Sequence, residues 1–538
     1  MTSLGPNLPV LADLEQASVE LQAAFEGGDA QARKRVEAIV PWLATIPPKL
    51  FTLDNARLAL AREYDFDHWG QLRQYSQETN APRSQRASHL VRAAVSQEIA
   101  LAERLLQTDP TLAEHDIYTA AVSGHLESAQ RLIGENPLAA KLAGGPGDRT
   151  PLSYLCFSRF LARDGEQQRN MLEIARLLLD AGADPNAYYM VNADPNARQT
   201  CLYGAAGINN VAELTRMLLE AGADPNDAAP GLGPESLYHA SEFQELECLR
   251  LILEADPHTD KVSYCMGRML DFENPQGVQL YLQHGADPNF KTPWGEHQTR
   301  LHGAIVRRRS ADVIQMLVNG GANLKMRVES GRTPYAWAVR WGHAKAAELL
   351  QRHGAHEHEA SDVDRFLCAC FNADEPSARA LLIKHPDIIK DLTPAEHGSL
   401  PQAAYEGNLP AVRLMVELGF SIEAKGDFGT AINQAAWRGN FEVIEFLISR
   451  GANLETLNNF QGTALDCCVF GASNCEDDTA GRVRGIRRPH AGQYVKSVEA
   501  LIAAGADVRR VSPFPSGHRE IDDLLRRHGR AEAKSGSE

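Results

Sequence analysis

A Leu-rich helix end followed by Gly-Ala-Asp, or by a close variant of it, recurs along most of the chain. The clearest copies lie at 177–186, 217–226, 281–289, 316–324, 446–455 and 501–508. From Gly222 to Gly451 the marker glycine, or the residue that replaces it, recurs at steps of 31 to 36 residues. Self-similarity at about 33 residues predicts stacked repeats, because one such unit cannot bury its own apolar face. Most of the 538 residues are therefore expected to form one elongated repeat domain.

Each repeat carries a second phrase, which predicts a short helix ahead of the Leu-rich one. Its copies include residues 149–157, 299–307, 332–343 and 429–440. In the copy RTPYAWAVRWGH, Thr333 is placed to cap the helix and Pro334 suits its first turn. The small residues that follow allow close helix approach, and a glycine ends the helix. The pattern predicts an all-α fold of about twelve helix–turn–helix units.

The two phrases together resemble the ankyrin repeat over roughly residues 89–529. Two parts of the chain are also similar to a group of bacterial ankyrin-repeat proteins. The first is AREYDFDHW at 61–69, and the second extends from 366 to 455 and includes 514–529. The resemblance implies a solenoid whose first helices and finger loops line a concave groove. It also implies recognition of other proteins. The family has no invariant catalytic residue, so no active site can be transferred to this chain.

The ends and the stretched repeats define the predicted domain boundaries. Residues 1–80 contain amphipathic helical stretches and are expected to cap the solenoid, with a polar linker at 81–88. The solenoid is expected to cover 89–529, followed by a disordered tail at 530–538. Three insertions are expected, near 158–170, 187–198 and 471–492.

Composition narrows the class of protein. The net charge of −16 argues against wholesale binding of nucleic acid, which needs a basic face. No apolar run approaches the roughly 20 residues that span a bilayer, and no secretory signal is visible. The nine cysteines include no CxxC pair, which is typical of reduced thiols. These features predict a cytoplasmic protein that does not bind membranes, and we expect a monomer.

Residues that could carry chemistry are few. The chain has no GxSxG, GxxxxGK[ST] or HExxH motif. His353, His356 and His358 lie within six residues, a spacing that can serve a metal ion, but they occupy a predicted turn where solvated side chains are the commoner outcome. The sequence therefore predicts no metal site, no catalytic residue and no cofactor, and it favours a protein that is not an enzyme.

The candidate site lies at the variable positions of the first helices and on the finger loops. Large aromatic residues beside arginine are typical of interface hot spots, since they bury much area at low entropic cost. The alternative is that these side chains pack between repeats. The predicted partner-binding residues are Tyr154, His239, Arg268, Trp294, Arg307, Trp337, Arg340, Trp341, Tyr405, Trp437 and Arg438.

The sequence thus predicts a protein-interaction module that binds a protein or peptide in the concave groove as scaffold, adaptor or inhibitor. An enzyme or small-molecule binder remains the alternative. Its pocket would lie on the concave face of the irregular repeats at 149–290, with Tyr154, His239, Arg268 and Trp337 placed around it.

Overall fold

The computed structural model describes residues 9–96, 98–163, 165–191, 198–226, 235–271, 273–292, 298–426, 428–474 and 493–530. Contacts divide the chain into two compact units. The first comprises Met1–Ala240 with Glu247–Ala255, and the second comprises Ser241–Leu246 with Asp256–Glu538. Nearly all regular structure in the described residues is helical, so the prediction of an all-α class is confirmed.

The first unit begins with helices α1 to α4 and continues with helical pairs. A short hairpin, formed by β1 (Tyr188–Met190) and β2 (Arg198–Thr200), and a π-helical turn at Tyr203–Ile208 interrupt the series. Its helices are α1 Leu11–Glu26, α2 Ala30–Ile39, α3 Leu53–Glu63, α4 Trp69–Thr79, α5 Arg83–Ala94, α6 Ile99–Thr108, α7 Ile117–Ser123, α8 Leu126–Glu135, α9 Pro151–Phe157, α10 Glu166–Asp180, α11 Ala212–Glu220, α12 Glu235–Ala240 and α13 Glu247–Glu254, with 3₁₀ turns at Leu43–Thr45, Pro48–Leu50, Pro110–Glu114, Pro137–Ala140, Gly145–Gly147 and Arg159–Ala162.

The second unit consists mainly of successive helical pairs. One two-stranded hairpin, β3 (Lys425–Gly426) with β4 (Gly429–Thr430), forms a finger ahead of a first helix. Its helices are α14 Thr259–Met269, α15 Pro275–Gln283, α16 Arg300–Val306, α17 Ala311–Asn319, α18 Pro334–Arg340, α19 Ala344–Arg352, α20 Asp362–Phe371, α21 Glu375–Lys384, α22 Pro394–His397, α23 Ser399–Tyr405, α24 Leu409–Leu418, α25 Ala431–Arg438, α26 Phe441–Ser449, α27 Ala464–Asn474, α28 Gln493–Ala503 and α29 Arg519–Arg527, with 3₁₀ turns at Glu357–Glu359 and Val508–Arg510.

The first helix of several repeats begins after the threonine that the sequence pattern identifies as its cap. The hydroxyls of Thr150, Thr299 and Thr333 each accept a hydrogen bond from the backbone N–H three residues later. Such a bond satisfies one of the amides that a helix start leaves free. The capping role inferred for these threonines is therefore confirmed.

A left-handed residue ends most first helices and lets the chain turn into the next one. Gly342 and Gly439 take this position, with φ of 65° and 63°. Arg308 occupies the equivalent position after α16 with φ of 53°. A non-glycine residue pays a steric penalty in this region, so the arginine is held there by other contacts.

The N-terminal helices pack around hydrophobic clusters of their own. Phe25 stacks on Phe51 with ring centroids 3.9 Å apart, and a second small cluster surrounds Leu72. Neither cluster includes residues of the larger core that begins at Ala87. A capping role for 1–80 stays a prediction. The linker expected at 81–88 is largely helical, because α5 starts at Arg83.

The three predicted insertions differ in outcome. The first, 158–170, holds the 3₁₀ turn at Arg159–Ala162 and the start of α10. The second, 187–198, forms β1 and the first residue of β2, and its residues 192–197 lie outside the described structure. Within the third, 471–474 belong to α27, so the predicted loop start is corrected, and 475–492 lie outside the described residues. Residues 531–538 of the predicted tail also lie outside them.

Candidate functional site

Tyr154 is a packing residue of the first unit and not a surface contact. Its side chain is buried, and its hydroxyl accepts a hydrogen bond from the Gly147 N–H at 2.8 Å and donates one to the Gly144 carbonyl at 3.0 Å. Burial raises the pKa of this phenol. The residue therefore fixes the turn at Gly144–Gly147, and the prediction that it contacts a partner is corrected.

Trp337, Arg340 and Trp341 form a buried cluster in the second unit. The Arg340 guanidinium lies 5.2 Å from the Trp337 ring and 5.3 Å from the Trp341 ring, so it contacts both indoles. One of its nitrogens donates to the Ala395 carbonyl at 2.9 Å. All three side chains are buried, because the segment around Ala395 and the neighbouring helices cover them. Their predicted role on an accessible surface is corrected.

Three further predicted residues are partly exposed but already have ionic partners. In the first unit, His239 Nε2 lies 3.2 Å from a Glu235 carboxylate oxygen. In the second unit, Asp271 accepts hydrogen bonds from both Arg268, at 3.0 Å, and Arg307, at 2.6 Å. These contacts favour structural roles. Trp294 lies outside the described residues.

Arg308, which the sequence analysis missed, ties distant repeats of the second unit together. Its Nε donates to Glu406 at 2.7 Å, and a terminal nitrogen donates to the Trp341 carbonyl at 2.9 Å. Arg308 and Glu406 are 98 residues apart in sequence. Burial raises the pKa of Glu406, although the facing guanidinium opposes this effect. The pair is a structural clasp and explains why an arginine occupies a left-handed position.

Four aromatic side chains form an exposed apolar cluster in the second unit, which we call the aromatic patch: Phe428, Trp437, Phe460 and Phe470. The Trp437 ring centroid lies 5.5 Å from Phe470, 5.9 Å from Phe460 and 6.3 Å from Phe428. Phe428 and Phe460 stack nearly parallel at 6.2 Å. Phe428 is 48% exposed and Phe460 is 64% exposed, whereas Trp437 is half-buried beneath them.

Local backbone chemistry positions these rings. Trp437 and Phe470 each lie seven residues after the threonine that caps their helix, so they occupy the same position in successive repeats. A Cβ on Gly471 would lie 2.3 Å from the Trp437 carbonyl oxygen, so glycine permits the close approach of α27 to α25. The Asn458 side chain accepts a hydrogen bond from the Phe460 N–H at 2.9 Å and holds the finger turn.

Two cations lie beside the aromatic patch in sequence. The Arg438 guanidinium lies 4.9 Å from the Tyr405 ring, a cation–π contact with the preceding repeat. Lys425 Nζ donates to the Leu457 carbonyl at 3.3 Å. Among the described residues, no carboxylate lies within 4.0 Å of either cation. The predicted residues Tyr405, Trp437 and Arg438 are all partly exposed, and Arg438 contacts Tyr405.

Two stretches of the second unit match known family models. Residues 268–362 match a model described as ankyrin repeats (3 copies), and 400–448 match one described as ankyrin repeats (many copies). Both stretches are therefore similar to ankyrin repeats. Together with the helical pairs described above, these matches confirm the predicted all-α ankyrin-repeat solenoid. A comparison with proteins of curated function finds no match to this chain.

The aromatic patch lies in and just beyond the ankyrin repeats at 400–448. Phe428 and Trp437 fall within that match, and the next repeat supplies Phe460 and Phe470. The patch therefore combines the two parts of an ankyrin repeat that face outward, the finger and the end of the first helix. Sequence reasoning found Trp437 but missed the three phenylalanines.

Most of the described cysteines lie in apolar surroundings. Burial raises the pKa of Cys248 and of Cys370 to about 12, which disfavours the reactive thiolate. None of the cysteines in the described ranges forms a disulfide. Across the same residues, no group of three or more His, Cys, Asp or Glu side chains is arranged to hold a metal ion.

A cavity of 340 Å³ opens beside the ankyrin finger at residues 421–425. It is lined by Pro394, His397, Ser421, Ala424 and Lys425. This position lies outside the irregular repeats at 149–290 where the sequence placed an alternative small-molecule pocket.

In the described part of the chain, no helix is long and apolar enough to cross a membrane.

Proposed function

We propose that this chain is a protein-interaction module that binds a protein or peptide partner through the aromatic patch and the neighbouring first helices. The observation that carries the proposal is the exposure of three phenylalanine rings around one tryptophan. Monomeric proteins rarely expose apolar patches that have no binding role. Aromatic residues are also enriched among the side chains that dominate binding energy.

The repeat type supports the same proposal. Ankyrin repeats are generally protein–protein interaction modules. Residues that the sequence placed on the surface but that are buried, such as Trp337, shape the repeat stack. The proposed contact surface is therefore shifted towards the C-terminal repeats, with Tyr405, Trp437 and Arg438 retained from the predicted set.

The proposal also covers the biochemical role of the chain, its location in the cell and its oligomeric state. We propose a cytoplasmic monomer of bacterial type that acts as scaffold, adaptor or inhibitor. The net charge of −16 and the lack of a disulfide among the described cysteines support this setting. Light scattering on the purified chain tests the monomeric state, and a mass of two or more chains would reject it.

Quantitative capture from cell extract tests the binding surface. The bait is the full chain, compared with the double variant Phe428→Ser/Phe460→Ser, which removes two exposed rings without opening the core. Ile383→Ser is the matched control, since Ile383 is 81% exposed on α21, outside the patch. A partner retained by the wild type and by the control but lost by the double variant is the expected result. Identical retention by all three baits would reject the proposed surface.

A further inference from the structure

Two cations lie next to members of the aromatic patch in the sequence, and Lys425 Nζ also donates to the Leu457 carbonyl on the finger that carries Phe460. Arg438 directly follows Trp437 and extends to the ring of Tyr405 in the preceding repeat. Lys425 lies in β3, three residues before Phe428. A segment that covers the rings therefore passes near positive charge at both of these positions.

Two carboxylates of the same region accept hydrogen bonds from neighbouring residues. Glu423 accepts hydrogen bonds from the Asn453 N–H at 2.8 Å and from the Thr456 hydroxyl at 3.2 Å. Asp466 accepts from the hydroxyl and the N–H of Thr463, at the start of α27. These acids serve finger and helix caps and are not ion-pair partners of Arg438 or Lys425. No carboxylate of the described residues pairs with either cation, so both can pair with carboxylates of a partner segment.

We propose that the aromatic patch recognises an acidic–hydrophobic segment of a partner protein, in which a large apolar side chain is flanked by Asp or Glu. The apolar side chain packs on Phe428, Trp437 and Phe460, and the carboxylates pair with Arg438 and Lys425. This inference rests on the proposed function and adds the chemistry of the ligand. Arginine suits the task, because its planar guanidinium binds carboxylates in a bidentate manner.

The net negative charge of the chain means that only a local positive site can favour an acidic partner segment. At a net charge of −16 the protein repels acidic partners at most of its surface and attracts basic ones. Selection of an acidic segment therefore requires a local positive site. Complementary charges of this kind set specificity and the rate of association more than total affinity.

Selection from a phage-displayed library of random dodecapeptides tests the proposal. The full chain is the target, and Trp437→Ala serves for counterselection. The expected outcome is enrichment of peptides that carry Leu, Phe, Tyr or Trp next to Asp or Glu. Enrichment of basic or uncharged peptides that still depend on Trp437 would overturn the acidic preference. The proposed binding surface would survive that result.

Fluorescence anisotropy with the best selected peptide then measures each contribution. Trp437→Ala should weaken binding of this peptide by about 30-fold or more. Phe460→Ser, a second variant at a highly exposed ring, should weaken binding by several-fold. Arg438→Glu should weaken it about tenfold, with Arg438→Lys intermediate and Ile383→Ser unchanged. Equal affinity for wild type and Arg438→Glu would overturn the proposed ion pair. A library that yields no Trp437-dependent peptide would overturn the inference, while the capture experiment judges the proposed function separately.

Discussion

Replacing Trp337 with alanine tests whether this indole belongs to the core. Its side chain is 1% exposed, and its ring centroid lies 6.0 Å from that of His302 and 5.8 Å from that of Trp341. Loss of about 200 Å² of buried aromatic surface, at about 25 cal/mol per Å², corresponds to about 5 kcal/mol. Because measured costs for buried Trp→Ala are about 3–5 kcal/mol, we expect the free energy of unfolding to fall by about 4 kcal/mol.

Urea unfolding followed by circular dichroism measures this loss. Hydrogen exchange of α18 and α19 assigns it to the second unit, because repeat arrays can unfold in more than one step. Trp337→Phe is the conservative comparison and should lose about 1–2 kcal/mol. The half-buried Trp437→Ala should also lose about 1–2 kcal/mol. A Trp337→Ala variant within about 0.5 kcal/mol of wild type would refute the assignment to the core.

Three further outcomes follow from individual positions. Burial lowers the pKa of His302 to about 4. Because the unfolded chain takes up this proton first, the free energy of unfolding should fall by up to about 3 kcal/mol between about pH 7 and pH 4, and His302→Asn should lose that slope in urea titrations. A Cβ at Gly204 would lie 2.8 Å from a backbone oxygen of the neighbouring helix, whereas Gly134 has open space. Thermal unfolding should therefore show Gly204→Ala destabilised by about 2 kcal/mol and Gly134→Ala stabilised by about 1 kcal/mol, and the reverse order would contradict this packing. Arg308→Ala removes the cation that opposes the raised pKa of Glu406, so its loss of stability should grow as the pH rises and the carboxyl ionises; equal losses in urea unfolding at low and high pH would argue against the clasp.

Features with a local physical cause could be predicted from the sequence. Thr333 caps its helix and Gly342 adopts a left-handed backbone because the chemistry of each residue alone favours those roles. The helical pairs and their period follow from such signals repeated along the chain. The start of α5 at Arg83 could not be anticipated in this way, since a polar stretch is compatible with either a linker or a solvated helix.

The site could be predicted only in part, because burial depends on distant segments. Trp337 and Trp437 occur in similar phrases, AWAVRWG and AAWRG. The first is covered by neighbouring repeats and contacts Arg340, whereas the second is surrounded by exposed phenylalanines. One usable signal was overlooked: counting seven residues from each capping threonine places Phe470 in line with Trp437.

The Arg308–Glu406 clasp also bears on how this protein can change during evolution. Repeat proteins commonly gain or lose whole units, because each unit contacts only its neighbours. A contact across 98 residues breaks that independence. Inserting or deleting one unit between its two ends would displace Glu406 by about 10 Å, the spacing of packed helices, and would leave a buried carboxylate without its cation. The repeats from α16 to α23 are therefore expected to be inherited as a block of fixed number, with changes in repeat number confined to positions outside it.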